Sequence, residues 1–194
     1  MKMMSLPERV IAWNEKRYDQ VFDYFLAEKL LLEETEELYA ATSLVEQLDA
    51  VGDIIFVAIG VLWKLGFTKE QLTFIFDAIP LDASLADLNG VAAEVHLIAL
   101  DEVPGIGNVQ GASAGLQLAL FCCFNTAMGF MKAKNLMHEV FNVAHAICDS
   151  NDTKVVKGKT DPSVKANIDK GAGFVPPTKA LIAIVDRNAL RDMY

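Results

Sequence analysis

Apolar residues recur along most of this chain at intervals of three and four, the spacing of one helix face. Ser5, with Glu8 three residues on and Pro7 in the first turn, marks a helix start. Val10, Ile11, Trp13, Tyr18, Val21, Phe22 and Phe25 follow at roughly helical spacing. No Gly or Pro separates this run from the next, Leu30 to Tyr39, so one long helix and two shorter ones both fit. After a break at about Ala41 to Thr42, the next helix has Leu44, Leu48, Val51, Ile55 and Ile59 on its apolar side, and Lys64-Leu65-Gly66 stops it. Thr68 and Gln71 open another, limited by Pro80, and Ser84 with Asp87 opens one reaching about Leu100. Val103 to Gly115 reads as loop. Helices are then expected over Leu116 to Lys134 and Asn135 to Cys148, and a closing one from Thr178 to Arg191 carries Leu181, Ile182, Ile184, Val185 and Leu190. The pattern predicts one all-α domain over residues 1–194, a helical bundle, with at most a short strand near Lys154 to Val156.

Two rows of acids interrupt this apolar periodicity. Glu33, Glu34 and Glu37 fall within one turn of the second helical run, and Glu46, Asp49 and Asp53 lie at offsets of three and seven on one face of the next. Stacked like charges repel by roughly 0.2–0.5 kcal/mol per pair on an isolated helix, so a counter-charge is needed, and a divalent metal supplies one. The plainer interpretation is the wet side of an amphipathic helix, and Ser43 followed by Glu46 is also a capping box. The sequence downstream weighs against that. The acidic line continues into Val57, Gly60 and Val61, so from Ile54 to Trp63 the helix is apolar on every side, which implies burial all round. Carboxylates leading into such a segment sit at the mouth of an enclosed space, where unpaired charge is expensive.

Composition adds limits. With 194 residues, 53% of them hydrophobic, the chain is long enough for a full core. A net charge of −9 argues against a nucleic-acid binder, which would present a basic surface. Cys122, Cys123 and Cys148 suggest no disulfide framework and fit a reducing cytoplasm. Val103 to Met131 carries no charge and is long enough to span a bilayer, yet Gln110, Gln117, Asn125 and several glycines favour a buried core or dimer-interface helix. GIGNVQG lacks the preceding strand of a dinucleotide-binding turn, and HEVFN lacks the second histidine of a zinc-protease motif. His138 and His145 share a face but read as ordinary core or surface histidines.

After Cys148 the chain turns polar and rich in Gly and Pro. Five of its 17 Lys and Arg residues, Lys154, Lys157, Lys159, Lys165 and Lys170, fall here. This is either a solvated loop or a phosphate-facing flap, lysine being a mobile point charge suited to triphosphate oxygens.

The acid rows, EETEE with EQLD and GDIIF, resemble the signature of the all-α nucleoside triphosphate pyrophosphohydrolases: MazG-like proteins, dimeric dUTPases and phosphoribosyl-ATP pyrophosphohydrolases. That signature, EExxE on one helix and ExxD on the next, binds Mg²⁺. The gap from Glu37 to Glu46 is shorter than the family's. The second pair of ligand positions is therefore filled either by Glu46 and Asp49 or by Asp49 and Asp53. HEVFNVAHAICDSNDTKVVKG with GAGFVPP is similar to the C-terminal arrangement of phage and bacterial MazG-like proteins. That likeness implies substrate contacts at Asn151 and Lys154, and base stacking at Phe174. Together the resemblances imply paired acidic helices over about 20–65, a basic substrate loop over about 149–177, and hydrolysis of a nucleoside triphosphate to the monophosphate and pyrophosphate. Glu34, Glu37, Glu46, Asp49 and Asp53 are the expected ligands of Mg²⁺ or Mn²⁺; Glu33 is the expected general base, and Lys154 and Lys170 the phosphate clamps. A homodimer or dimer of dimers is expected, with no nucleic-acid or membrane partner, and a purine deoxynucleotide (dGTP or dATP) slightly favoured. A dUTPase or phosphoribosyl-ATP hydrolase of the same superfamily, and a non-catalytic helical dimer binding Ca²⁺ or a basic partner, are the alternatives.

Overall fold

The computed structural model describes residues 4–79, 83–102, 110–155 and 170–191. Lys157, Lys159, Lys165, Pro80 and most of GIGNVQG lie outside them. The fold is all-α: α1 (Leu6–Glu15), α2 (Tyr24–Ala40), α3 (Leu44–Lys64), α4 (Lys69–Asp77), α5 (Leu85–Glu102), α6 (Gln110–Leu120), a π-helical stretch (Phe121–Met128) running into α7 (Gly129–Ala133), a 3₁₀ turn (Met137–Glu139), α8 (Val140–Asp152) and α9 (Thr178–Arg191). Three capping boxes set helix starts where the sequence predicts them. Ser5 pairs with Glu8, Ser43 with Glu46 and Thr68 with Gln71, each satisfying two backbone N–H groups.

The central element is α3, packed against α1, α2, α4, α6, α8, α9 and the π-helical stretch. Leu48, Val51, Ile54, Ile55, Ala58, Ile59 and Leu62 are fully buried, and between Ile54 and Trp63 every residue except Val57 is buried. Neighbours on all sides are what an all-round apolar helix requires. Gly52 brings α8 onto α3: a Cβ there would run into Ile147 Cγ1 and come within 3.3 Å of Val143 Cγ1.

One boundary that the sequence left open is settled, and two differ from the sequence expectation. The first helical run is not continuous: α1 ends at Glu15, and α2 starts at Tyr24 with Asp23 Oδ1 accepting the Leu26 N–H. Asn14 O takes both the Arg17 and the Tyr18 N–H and turns the chain without Gly or Pro. Gln110 to Gly115, expected as loop, is helix, because Gly115 sits where a Cβ would strike the Phe22 ring; it serves close packing rather than a turn. Finally, α8 begins at Val140, after Asn135 in a left-handed conformation (φ 57°), and continues to Asp152, past the expected end at Cys148. The helix over Gly111–Ala133 is long and apolar enough to cross a membrane, but 56% of its apolar window is buried inside the protein. Val155 forms an isolated β-bridge, and no strand occurs among the described residues.

Candidate active site

A cavity of about 150 Å³ lies along one face of α3. The α3 residues lining it are Asp53, Phe56, Val57, Gly60, Val61 and Lys64, the continuation of the acidic line read from the sequence. Opposite them stand Trp13 and Asn14 of α1, Tyr18 of the connection, Asp23 at the start of α2, Leu26, Ala27, Leu30 and Glu34 of α2, and Asn151 and Lys154 from the end of α8. The walls are apolar and aromatic, Trp13 meeting Phe56 edge to face at 5.2 Å between ring centroids. Gly60 admits Asn14, whose Nδ2 would lie 3.2 Å from a Cβ there.

The acids gather at one end. Burial pushes Asp53 from its ordinary 3.8 to about 8, and the charges of Glu34, Asp49 and Glu37 push the same way, against the pull of Lys154. Asp49 is raised too, by burial first and then by Glu37, with Lys154 and Lys170 opposing. Four carboxylates, Glu34, Glu37, Asp49 and Asp53, thus share one electrostatic neighbourhood. Glu34 and Asp53 line the cavity, whereas Glu37 is exposed on the outer part of α2. Glu33, one position round the helix, faces Lys29 at 3.9 Å. Glu46 stands apart: its Oε2 accepts the backbone N–H groups of Thr42 and Ser43 and the Thr42 hydroxyl, which hold it ionised below the usual carboxylate range.

The basic side is built from the end of α8 and the segment before α9. Asn151, expected in a loop, is in the last turn of α8, 4% exposed, and its carbonyl accepts the Trp13 Nε1–H at 3.0 Å. Burial lowers the Lys154 pKa, while Asp53, Glu34 and Asp49 draw it back up. Lys154 and Lys170 both approach the Phe174 ring, at 6.0 and 5.1 Å from its centroid. Phe174 is outside the cavity lining; the aromatic walls are Trp13, Tyr18 and Phe56.

Sequence reasoning missed Arg17. It is 4% exposed, stacks 3.7 Å over the Trp13 ring, and donates to the carbonyls of Trp13 (2.8 Å) and Lys154 (3.4 Å), with Nε unpartnered. It ties the cavity's aromatic wall to the backbone of Lys154 from behind. It also missed Trp13, Asn14, Tyr18, Asp23 and Lys64 as cavity residues. Within the polar run NEKRYDQ nothing in the sequence marked Arg17 out.

The donor set, Glu34, Glu37, Asp49 and Asp53, with Asp49 and Asp53 raised by burial and by their acidic neighbours, is chemically suited to a hard divalent cation. Among the described residues no three acid, imidazole or thiolate groups already close into a ligating cluster.

Residues 6–78 match the family model described as phosphoribosyl-ATP pyrophosphohydrolase. No curated protein and no solved structure matches the chain.

Proposed function

We propose that this protein, whose residues 6–78 match the phosphoribosyl-ATP pyrophosphohydrolase family model, is an all-α nucleoside triphosphate pyrophosphohydrolase that hydrolyses a (deoxy)nucleoside triphosphate between the α and β phosphates, releasing the monophosphate and pyrophosphate. One observation carries the reading: Glu34, Asp53 and Lys154 line the same cavity, and Asp53 is crowded by three other carboxylates at its edge. A buried carboxylate that stays protonated at neutral pH beside more carboxylates is poorly placed to stabilise a fold and well placed to receive a cation.

Glu34, Glu37, Asp49 and Asp53 would hold Mg²⁺ or Mn²⁺. When bound, such a cation would supply Lewis-acid stabilisation of the negative charge on the triphosphate. Of the two arrangements that the short gap after Glu37 allows, the Asp49 and Asp53 pair is favoured, because the Glu46 carboxylate is occupied at the start of α3. Glu33 is the proposed general base, with Glu34 its nearest rival. Lys154 and Lys170 would neutralise the phosphates, and the Asn151 carboxamide would hydrogen-bond sugar or phosphate. The aromatic lining, Trp13, Tyr18 and Phe56, suits a nucleobase. Free, buried Cys122, Cys123 and Cys148 fit a reducing cytoplasm.

The test is pyrophosphate release from the canonical dNTPs and NTPs and from phosphoribosyl-ATP, with Mg²⁺, by wild type and by Glu37→Ala. Release from at least one nucleotide, lost in a Glu37→Ala protein that keeps its helical circular dichroism, supports the reading. No release from any of them, or an undiminished Glu37→Ala protein, returns the acidic hairpin to a non-catalytic, Ca²⁺-binding role. Phosphoribosyl-ATP as the sole substrate would move the protein to the matched family's own reaction. Glu33→Gln and Glu34→Gln compared over pH separate base from ligand.

A further inference from the structure

The acids occupy only one end of the cavity. Asp53 and Lys64 both line it from the same face of α3, eleven residues apart, which at the helical rise is about 16 Å. Between them the walls are apolar: Phe56, Val57, Gly60 and Val61 on α3, Leu26 and Leu30 on α2. At the far end polarity returns. Lys64 is half-buried, its Nζ 4.1 Å over the centroid of the Tyr18 ring, and its closest acidic influence is Asp23, which also lines the cavity. Asp23 is fixed in place, because Oδ1 caps α2 by accepting the Leu26 N–H at 2.7 Å. Gln20 braces the same corner by donating to the Trp63 carbonyl at 2.7 Å.

Resting on the pyrophosphohydrolase reading, we propose that this far end reads the base, and that Lys64 and Asp23 select a lactam-bearing base: guanine among purines, thymine or uracil among pyrimidines. The ammonium is only a donor and the ionised carboxylate only an acceptor. A carbonyl oxygen beside a ring N–H offers a strong acceptor and an acidic donor side by side, matching both charges; Asp23 Oδ2 would take the N–H. An amino base offers a ring nitrogen and an amine, a weaker match on both counts. The spacing suits a substrate lying along α3, with its α phosphate at Asp53 and its base against Tyr18 and Lys64. At Gly60 the Asn14 carboxamide packs onto α3 and lines the middle of the path. Lys64 is half-buried against Tyr18 and no anion is bonded to it among the described residues, so a substrate carbonyl would compensate its ammonium.

The experiment compares kcat/KM for dGTP, dTTP, dATP and dCTP in wild type, Lys64→Met and Asp23→Asn. Methionine retains the stem that covers Tyr18, and asparagine retains the helix cap while replacing the charged acceptor. The expected wild type prefers dGTP and dTTP, and each variant lowers the ratio of lactam to amino nucleotide by about tenfold or more, the scale of one charge-assisted hydrogen bond. Equal losses on all four nucleotides, or no wild-type preference, overturn the proposal. Should wild type hydrolyse none of them, binding of dGMP and dAMP measured calorimetrically decides separately. Preferential dGMP binding weakened by Lys64→Met keeps the base-reading role although hydrolysis has failed; equal affinity for both removes it.

Discussion

Asp53 has the largest shift among the site's groups, and its sign sets a pH dependence. Its folded pKa, about 8, lies above the ordinary 3.8, so the folded state binds this proton more tightly than the unfolded chain does. The associated stability is complete below about pH 4 and is lost as pH rises through 8. In EDTA, the melting temperature of wild type relative to Asp53→Asn is expected to fall steadily between pH 5 and 9, and added Mn²⁺ should flatten that slope. A parallel pH response of the two proteins would show that Asp53 ionises normally. Glu46 makes the contrasting case at this scale. Its carboxylate is spent on the N–H groups of Thr42 and Ser43, so Glu46→Gln is expected to keep hydrolysis and the Mn²⁺ response, both checked beside Asp49→Asn, which should lose them.

Individual helices act here through how closely they approach. At Gly52 a methyl group would meet Ile147 and Val143 of α8, and overpacking of this kind costs about 1–3 kcal/mol. Gly52→Ala is therefore expected to lower the urea midpoint. It also pushes away the helix that carries Asn151 and leads to Lys154, so hydrolysis should fall with it. Gly90, exposed within α5, has nothing within 4 Å of a Cβ position. Gly90→Ala should stabilise by up to about 1 kcal/mol, as intrinsic helix propensity dictates. Equilibrium urea unfolding of both variants distinguishes a packing glycine from an incidental one. At the C-terminal end, α9 is held by polar bonds as well as by buried Leu181 and Ile184: Glu139, 5% exposed, accepts from Asn142, Arg187 and Asn188.

At the scale of the whole molecule, α2 leaves a row of large apolar side chains uncovered. Phe25, Leu32 and Tyr39 follow at intervals of seven and are 77%, 45% and 79% exposed, a spacing that keeps them on one face. That stripe is the surface we assign to the proposed homodimer, about 100° round α2 from buried Leu31 and Leu38. Light scattering at micromolar concentration should give twice the 21.3 kDa chain mass, and Phe25→Glu combined with Tyr39→Glu should halve it. A wild-type protein already at 21.3 kDa would leave the stripe without this role. Because α2 also carries Glu33, Glu34 and Glu37, dimer loss is expected to reduce the Mn²⁺-induced thermal shift, which for a ligand at 100 times its dissociation constant corresponds to about 2.7 kcal/mol.

What the sequence determined alone is whatever depends on near neighbours in the chain. The capping boxes at Ser5, Ser43 and Thr68 and the burial of α3 beyond Ile54 follow from spacings of three and four residues, and they hold in the fold. Tertiary structure decided the rest. It broke the first helical run at Lys16, used Gly115 of α6 for contact with Phe22, extended α8 to bury Asn151, and brought Trp13, Tyr18, Asp23 and Lys64 round one cavity. Periodicity tells each helix which side is apolar, but which helix covers it is a property of packing between segments far apart in the chain. The cavity exists only where α1, α2, α3 and the end of α8 leave a gap between them.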